Sequence, residues 1–143
     1  MQGFELITAI REDDAYRTSQ LFLPRYIEDE CWSSFLATCE GHDLDSLVES
    51  GIVIQLVRHR CEFCDSLTYP VGEVTVRMYI RSVTGAQVRL TFEHFAGSSA
   101  RASLVARGEQ DLLCLVRLGE RLFQSEWPGE ILRRMREIMK SSD

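Results

Sequence analysis

The sequence predicts an α+β fold in which one long central helix is wrapped by an antiparallel sheet of five to six strands, with a further helix at the C-terminus. The stretch from Ser19 to Glu40 is the only early segment whose apolar residues recur at helical spacing, and after Gly51 the pattern changes to the period-two alternation of strands. The chain has 143 residues, of which 45% are hydrophobic. That is enough for one core and leaves no room for a second, so we expect a single domain over residues 1–143 with helix packed on sheet.

The central helix is predicted from an apolar stripe that repeats every four residues. The stripe consists of Leu23, Ile27, Cys31, Phe35 and Cys39, with Trp32 and Leu36 beside it. Thr18 or Ser19 can cap the first turn. Pro24 is tolerated only near that turn, and Gly41 is placed to end the helix. We therefore expect a helix of about Ser19 to Glu40 with one wide buried face.

The remaining elements are predicted from alternation and turn residues. The predicted strands are Phe4 to Glu12, Ile52 to Phe63, Glu73 to Val83, Ala86 to Phe95 and Ala102 to Leu118. A short helical turn is predicted at His42 to Gly51, and the C-terminal helix at Pro128 to Lys140. Gly108 inside the last strand predicts a bulge or a close approach by the helix.

Charge and hydropathy exclude two classes of partner. The formal net charge of −6 lacks the basic excess by which proteins neutralise phosphates, so we expect no nucleic-acid binding. No apolar run approaches the roughly 18 residues of a membrane helix, and the N-terminus lacks a basic segment followed by an apolar one. The sequence therefore predicts no membrane partner and a cytoplasmic location.

The five cysteines predict neither a metal centre nor a disulfide. They are an odd number, and they are dispersed through otherwise regular helix and strand patterns. Cys61 and Cys64 have the spacing of a zinc-ligand pair, but a zinc site needs a second pair, and the three histidines are scattered. We expect buried free thiols, no metal and no cofactor.

Several stretches resemble one family along nearly the whole chain, from about Phe4 to Met139. They are Ser19 to Tyr26 (SQLFLPRY), Val48 to Ile52 (VESGI), Arg60 to Phe63 (RCEF), Val74 to Ile80 and Ala106 to Gln110 (ARGEQ). The pattern is similar to the hot-dog thioesterases of the 4-hydroxybenzoyl-CoA type, and it is closest to the enediyne and polyene polyketide thioesterases. The resemblance implies a hot-dog fold, a homodimer or homotetramer, and hydrolysis of an acyl thioester.

The resemblance also implies catalytic positions, and here the chain departs from the family. A catalytic Asp, or Asn in the enediyne group, stands three residues before the glycine that opens the family helix. Ser19 occupies the glycine position in this chain, so the catalytic position falls on Tyr16. A shift of two residues would place Asp14 there instead. The helix arginine of the enediyne group falls on Ser34, so the resemblance makes Ser34 a further substrate-binding candidate.

The start of the central helix is the predicted binding site for the thioester carbonyl. Unpaired N–H groups and the helix dipole favour the negative charge that develops on the carbonyl oxygen. The substrate-binding candidates there are Ser19, Gln20, Leu21, Phe22 and Leu23. Because a thiolate leaves readily, a weak catalyst at Tyr16 or Asp14 suffices.

For the remaining polar residues of interest, the sequence allows two interpretations of the role of each. Strand alternation puts His59 on the inward face with Val57, Cys61 and Phe63, where it is either a core histidine or a further substrate-binding residue. The acidic run 28–30 should face solvent or a cavity. It is either a solvated or dimer-contacting face or the source of a pocket carboxylate, since other hot-dog enzymes, dehydratases among them, carry an acidic residue on this helix.

Two functions are consistent with these features. The first is a thioesterase that releases a polyketide or fatty acyl chain from an acyl carrier protein or CoA in a biosynthetic pathway. The second is a non-hydrolytic hot-dog protein that acts as a binding, cyclising or dehydrating partner of a polyketide synthase. Tyr16 at the family's Asp or Asn position is the feature that favours the second.

Overall fold

Six antiparallel strands form one sheet in the order β1-β3-β4-β5-β2, and β6 pairs with β5. The computed structural model describes residues 3–11, 23–64, 69–70, 72–97 and 103–142. The strands are β1 (Phe4–Ile10), β2 (Ile52–Phe63), β3 (Gly72–Thr84), β4 (Gln87–Ala96), β5 (Ser103–Leu118) and β6 (Arg121–Gln124). The helices are α1 (Leu23–Ala37), α2 (Leu44–Glu49) and α3 (Gly129–Ser142). The predicted architecture of a helix on an antiparallel sheet is confirmed.

Helix α1 packs on the inner face of the sheet, where it contacts β1, β3 and β5. Its buried side chains are Leu23, Pro24, Ile27, Glu28, Cys31, Trp32, Phe35 and Leu36. Helix α3 contacts β3 and extends the same core, because the ring of Trp127 just before it packs edge-on at 5.9 Å from Trp32 of α1. The apolar stripe read from the sequence is therefore the face of α1 that the sheet and α3 cover.

The end of α1 differs from the prediction. The helix stops at Ala37 instead of continuing to Glu40. The N–H groups of Thr38 and Cys39 donate to carbonyls only three residues earlier, and the Thr38 hydroxyl also bonds to the Phe35 carbonyl at 2.6 Å. The last turn thus tightens into 3₁₀ geometry, and Gly41 follows with φ 75°. Residues 19–22, the predicted first turn, lie outside the described residues.

Simple alternation assigns one residue of β2, Val57, to the inward face of the sheet, but the structure exposes it. Val57 is 58% exposed, whereas His59, Cys61 and Phe63 face inward as predicted. The register of β2 against β5 shifts between Leu56 and Arg58, so Val57 is an extra residue in a bulge. The alternation is correct on each side of the bulge but not across it.

Strand β6 was not predicted. It is four residues long, all of its side chains are exposed, and it follows a tight turn at Gly119, which has φ 66°. A strand without a buried face has no apolar alternation for sequence analysis to detect. In the described part of the chain, no helix is both long and apolar enough to cross a membrane, and the five cysteines are free thiols.

Candidate active site

A cavity of about 280 Å³ lies beside the first two turns of α1. Among the described residues it is lined by Thr8, Ala9, Ile10 and Arg11 at the end of β1 and by Leu23, Tyr26 and Glu30 of α1. These residues stand on both sides of the segment 12–22 that connects β1 to α1. The cavity therefore lies where the sequence predicts the thioester carbonyl to bind, and we call it the helix-start cavity.

The face of α1 above the helix-start cavity is not covered by the described part of the chain. Tyr26, Glu30 and Ser34 are spaced four residues apart and so lie on one stripe of the helix. Tyr26 is 63% exposed, and the other two are half-buried. Ser34, a predicted substrate-binding residue, thus lies one turn beyond Glu30 on the open face of the central helix.

Most of the other predicted site residues cannot be placed. Leu23 is buried and lines the helix-start cavity, as a substrate-binding residue there would. The remaining candidates lie outside the described residues: Asp14, Tyr16, Ser19, Gln20, Leu21 and Phe22. Their roles stay predictions.

The electrostatics of the α1 N-terminus favour a developing negative charge. The first described turn, Leu23–Tyr26, carries no acidic residue, so no carboxylate within it offsets the positive end of the helix dipole. Pro24 has no N–H group, which leaves the neighbouring backbone N–H groups as the donors of this turn. The arrangement suits an oxyanion better than it suits a cation.

The three consecutive acidic residues of α1 have three different environments. Glu28 is fully buried against the sheet. Asp29 is exposed and accepts hydrogen bonds from Arg25 Nε at 3.1 and 3.2 Å. Glu30 is half-buried and lines the helix-start cavity, and its Oε1 accepts from Thr8 Oγ1 at 3.5 Å. The expectation that all three would face solvent or a cavity is wrong for Glu28.

Glu28 is the centre of a buried polar cluster between α1 and the sheet. Its Oε2 accepts a hydrogen bond from His94 Nε2 at 2.7 Å, and its Oε1 accepts from Gln110 Nε2 at 2.8 Å. Burial raises the pKa of Glu28, but its polar contacts with His59, His94 and Gln110 outweigh that effect and lower the pKa below its ordinary value of 4.5. The carboxylate is therefore ionised in the core.

His94 links this carboxylate to Tyr69. A carboxylate only accepts, so His94 Nε2 carries the proton, and Nδ1 lies 2.8 Å from the Tyr69 hydroxyl. Burial, and then the charge of Glu28, raise the pKa of Tyr69, so its hydroxyl stays protonated and can donate to Nδ1. Hydrogen bonds therefore run from Tyr69 through His94 to Glu28, and each of these three side chains has a partner inside the cluster.

His59 belongs to the Glu28 cluster and does not line the helix-start cavity. Its Nε2 lies 3.3 Å from Glu28 Oε1 and is buried without an aligned hydrogen bond. One fifth of the side chain remains exposed. The structure therefore supports the reading of His59 as a polar core residue, and its role in substrate binding stays a prediction.

Glu28 could have been found from the sequence by its spacing. It stands three and four residues before Cys31 and Trp32, and seven and eight before Phe35 and Leu36, which places it on the buried stripe of α1. Its histidine and glutamine partners come from β4 and β5 at positions that alternation alone puts inward. Their convergence on one carboxylate depends on the register of the sheet, which no local pattern records.

A larger cavity, of about 520 Å³, lies on the outer face of the sheet. Its charged lining residues are Arg60, Arg81 and Arg107 with Glu62, Glu93 and Glu109. Glu109 is paired with Arg58, and Glu93 accepts a hydrogen bond from Tyr79. None of its described lining residues belongs to α1, so this cavity is separate from the helix-start cavity.

Comparison with known proteins gives a fold assignment. No protein-family model matches the chain, and no curated protein matches its sequence. The solved structure of the dynemicin thioesterase matches with a TM-score of 0.80 and 20% identity over 96% of this chain and 97% of that chain. The 4-hydroxybenzoyl-CoA thioesterase of Pseudomonas sp. strain CBS-3 matches with a TM-score of 0.71 and 17% identity over 94% of this chain and 99% of that one.

A third thioesterase structure agrees with these two. The 1,4-dihydroxy-2-naphthoyl-CoA thioesterase of Synechocystis matches with a TM-score of 0.73 and 15% identity, over 94% of this chain and 96% of that one. At such identities the likeness shows the fold and not the chemistry. The family resemblance found in the sequence is confirmed at the level of the fold: the chain has the hot-dog fold of these thioesterases.

Proposed function

We propose that this protein is a thioesterase that hydrolyses an acyl thioester of CoA or of an acyl carrier protein. The observation that carries the proposal is the helix-start cavity, which lies at the N-terminus of the central helix in a chain that matches thioesterase structures over almost its full length. The reaction needs hydrogen-bond donors for the oxyanion and a water that is oriented or deprotonated. The first turn of α1 supplies the donors.

The acyl group is proposed to be a polyketide or fatty acyl chain made in a biosynthetic pathway. The dynemicin thioesterase, whose structures concern polyene binding, has a higher TM-score than the two aryl-CoA thioesterases compared with it. CoA is supported as a carrier by the thioesterases named for CoA substrates. An acyl carrier protein is supported by the sequence resemblance to polyketide thioesterases.

Tyr16 and Asp14 are the proposed catalytic residues of the loop before α1. Tyr16 could orient the water or hydrogen-bond the carbonyl, and Asp14 could act as a base. Loss of one positioned hydrogen bond to the oxyanion lowers kcat by about 10²-fold or more. Tyr16→Phe and Asp14→Asn should therefore separate the two assignments, provided that circular dichroism and light scattering show an unchanged fold and oligomer.

The test of the proposal is hydrolysis by the purified wild-type chain. We expect it to release free acid from at least one member of a series of aryl, saturated and polyenyl thioesters, each presented on CoA and on an acyl carrier protein. Chromatography of the acid avoids interference from the five cysteines. A wild-type chain inert toward every thioester would contradict hydrolysis and favour the non-hydrolytic partner of a synthase.

A further inference from the structure

We propose that the cavity of about 520 Å³ on the outer face of the sheet binds a small anion that carries a diphosphate group. Its described lining residues all lie in the paired strands β2, β3, β4 and β5. It shares none of these residues with the helix-start cavity, so the proposal does not depend on the thioesterase function. We call it the outer-face cavity.

Three arginines of the outer-face cavity come from three different strands, and none has a carboxylate partner in the described part of the chain. Arg60 of β2 has neither a hydrogen bond nor an ion pair there. Arg107 of β5 makes one weak contact, from Nη1 to Cys64 Sγ at 3.8 Å. Arg81 of β3 donates from Nε to Thr91 Oγ1 at 2.8 Å. The positive charges of all three are therefore available to a ligand.

The register of the sheet places these arginines beside glutamates without forming ion pairs. Arg60 lies opposite Glu109 of β5. Arg107 lies between Glu62 of β2 and Glu93 of β4. Directly opposite residues of unlike charge ordinarily attract each other. Among the described residues, however, neither arginine comes within ion-pair distance of these carboxylates, so the cationic groups are held apart from the anions of the sheet itself.

Two of the three lining glutamates have other hydrogen-bond partners. Glu109 Oε1 accepts from Arg58 Nη2 at 3.4 Å, and Glu93 Oε1 accepts from the Tyr79 hydroxyl at 2.7 Å. Glu62 is the lining carboxylate without a partner among the described residues. The outer-face cavity thus presents three unpaired cations and one unpaired carboxylate. This balance favours an anionic ligand, and guanidinium groups match the geometry of phosphate oxygens.

The side chain of Arg81 is oriented by its own surroundings. The register of β3 against β4 shifts between Ile80 and Ser82, so Arg81 is the extra residue of a bulge, a feature that redirects a side chain. Its guanidinium carbon lies 4.9 Å from the centre of the Tyr79 ring, and its Nε is held by Thr91. Both terminal nitrogens remain for a ligand. Little side-chain entropy is then lost when an anion binds.

The spacing of the arginines favours a diphosphate over a single phosphate. Arg60 and Arg107 stand on the adjacent strands β2 and β5, whereas Arg81 stands on β3, on the far side of β4. Strands β2 and β3 are three strand spacings apart, or about 14 Å. A phosphate held by Arg60 and Arg107 leaves Arg81 for a second one. Two linked phosphates therefore engage the cations on both sides of the cavity.

Calorimetric titration of the full chain with pyrophosphate, at low and constant ionic strength, tests the site. We expect saturable binding at one site per chain and weaker binding of orthophosphate. Arg60→Gln and Arg107→Gln should each weaken pyrophosphate binding by about tenfold or more, because each removes a charge-assisted hydrogen bond. Arg77→Gln is the matched control. Arg77 lies on the same face but is paired with Glu5 and is not among the lining residues, so this variant should bind as the wild type does.

The variant Glu62→Gln should bind pyrophosphate more tightly than the wild type, because it removes the unpaired carboxylate of the cavity. A misfolded variant cannot imitate this gain, and circular dichroism checks the fold of the arginine variants. The proposal is overturned by absence of saturable binding in the millimolar range, by equal losses in Arg77→Gln and Arg60→Gln, by equal binding of orthophosphate, or by weaker binding in Glu62→Gln.

Adenosine diphosphate is the second probe, because a diphosphate can stand alone or carry an organic group. Tighter binding of adenosine diphosphate than of pyrophosphate would assign the rest of the outer-face cavity to that organic group. Equal or weaker binding would assign the site to the diphosphate alone. In both cases Arg60→Gln should weaken the binding of the two probes by the same factor, and a loss confined to one of them would contradict a shared diphosphate site.

Discussion

The carboxylate of Glu28 occupies the space that a side chain at Gly108 would need. A Cβ at position 108 would lie 1.8 Å from Glu28 Oε2, far inside van der Waals contact. The Glu28 side chain of the helix can therefore reach the backbone of β5 because Gly108 has no side chain. This confirms one of the two alternatives predicted for Gly108, the close approach by the helix. Its backbone pairs in regular register with Cys61, so the bulge alternative does not apply.

Gly108→Ala should destabilise the fold. The new methyl group must displace a buried, hydrogen-bonded carboxylate, and overpacking of this kind lowers the free energy of unfolding by about 1–3 kcal/mol. Urea unfolding followed by circular dichroism measures the change. Gly129→Ala is the control, because nothing lies within 4 Å of its added Cβ and its φ is not positive. Equal stability of both variants would contradict the close approach.

Glu28→Gln should lower the free energy of unfolding more than Asp29→Asn does. The two positions are adjacent, and each variant removes one negative charge. The amide at position 28 would turn an N–H₂ donor toward a donor of His94 or Gln110, and a mismatched buried pair costs about 1–3 kcal/mol. Asp29 forms only an exposed ion pair with Arg25, which contributes about 0–1 kcal/mol. Chemical denaturation of the two variants would contradict the cluster if it ranked them in the opposite order.

The contribution of Glu28 to stability should depend on pH. Its pKa is lowered in the folded chain, so the folded state binds this proton less readily than the unfolded state. The stabilisation is therefore present above the ordinary value of 4.5 and is lost as the pH falls through the lower folded pKa. The difference in unfolding free energy between wild type and Glu28→Gln should shrink below that pH. A difference that stayed constant or grew would contradict an ionised Glu28.

The protein should be at least a dimer that pairs through the free edge of β2. This edge strand has 12 residues, against 7 in β1 at the other edge, and unpaired strand edges associate readily. Light scattering should give at least twice the monomer mass of 16.4 kDa. Val57→Lys, at an exposed apolar position of β2, should weaken the oligomer more than Ile7→Lys on β1, which is 51% exposed. A monomeric wild type, or the reverse ranking, would contradict this pairing.

Sequence patterns located most of the sheet because its strands have one buried face. Alternation placed β2 at its observed bounds and β3 and β4 within one residue, and Gly85 correctly marks the turn between the latter two. The pattern failed at Val57, where one extra residue changes the face, and at β6, which buries nothing. At Val57 the hydrogen-bond register with β5, and not the residue itself, decides which face the side chain takes. At β6 no side chain is buried, so the sequence contains no alternation to detect.

The sequence predicts a location for the candidate site, but it does not predict the environments of the acidic residues near it. The start of the central helix followed from helix electrostatics, and a cavity lies there. The different environments of Glu28, Asp29 and Glu30 could not be predicted in the same way. Adjacent helical residues point in directions about 100° apart, and the elements that surround each one lie far away along the chain. Thr8 and His94, which distinguish Glu30 from Glu28, come from two different strands, β1 at the edge of the sheet and β4 in its middle.

The buried contacts of Glu28 also fix the rotation of α1 about its own axis. A helix of mostly apolar side chains could pack on a sheet in several rotations of similar energy. Here, a rotation of about 100° about the helix axis would bury an acidic side chain that has no partner, and it would leave His94 without its hydrogen-bond acceptor. Locking the rotation at Glu28 also aims Glu30, two residues on, toward the cavity. Variants of His94 or Gln110, although neither residue lines the helix-start cavity, should therefore lower stability and also displace the α1 side chains that line that cavity.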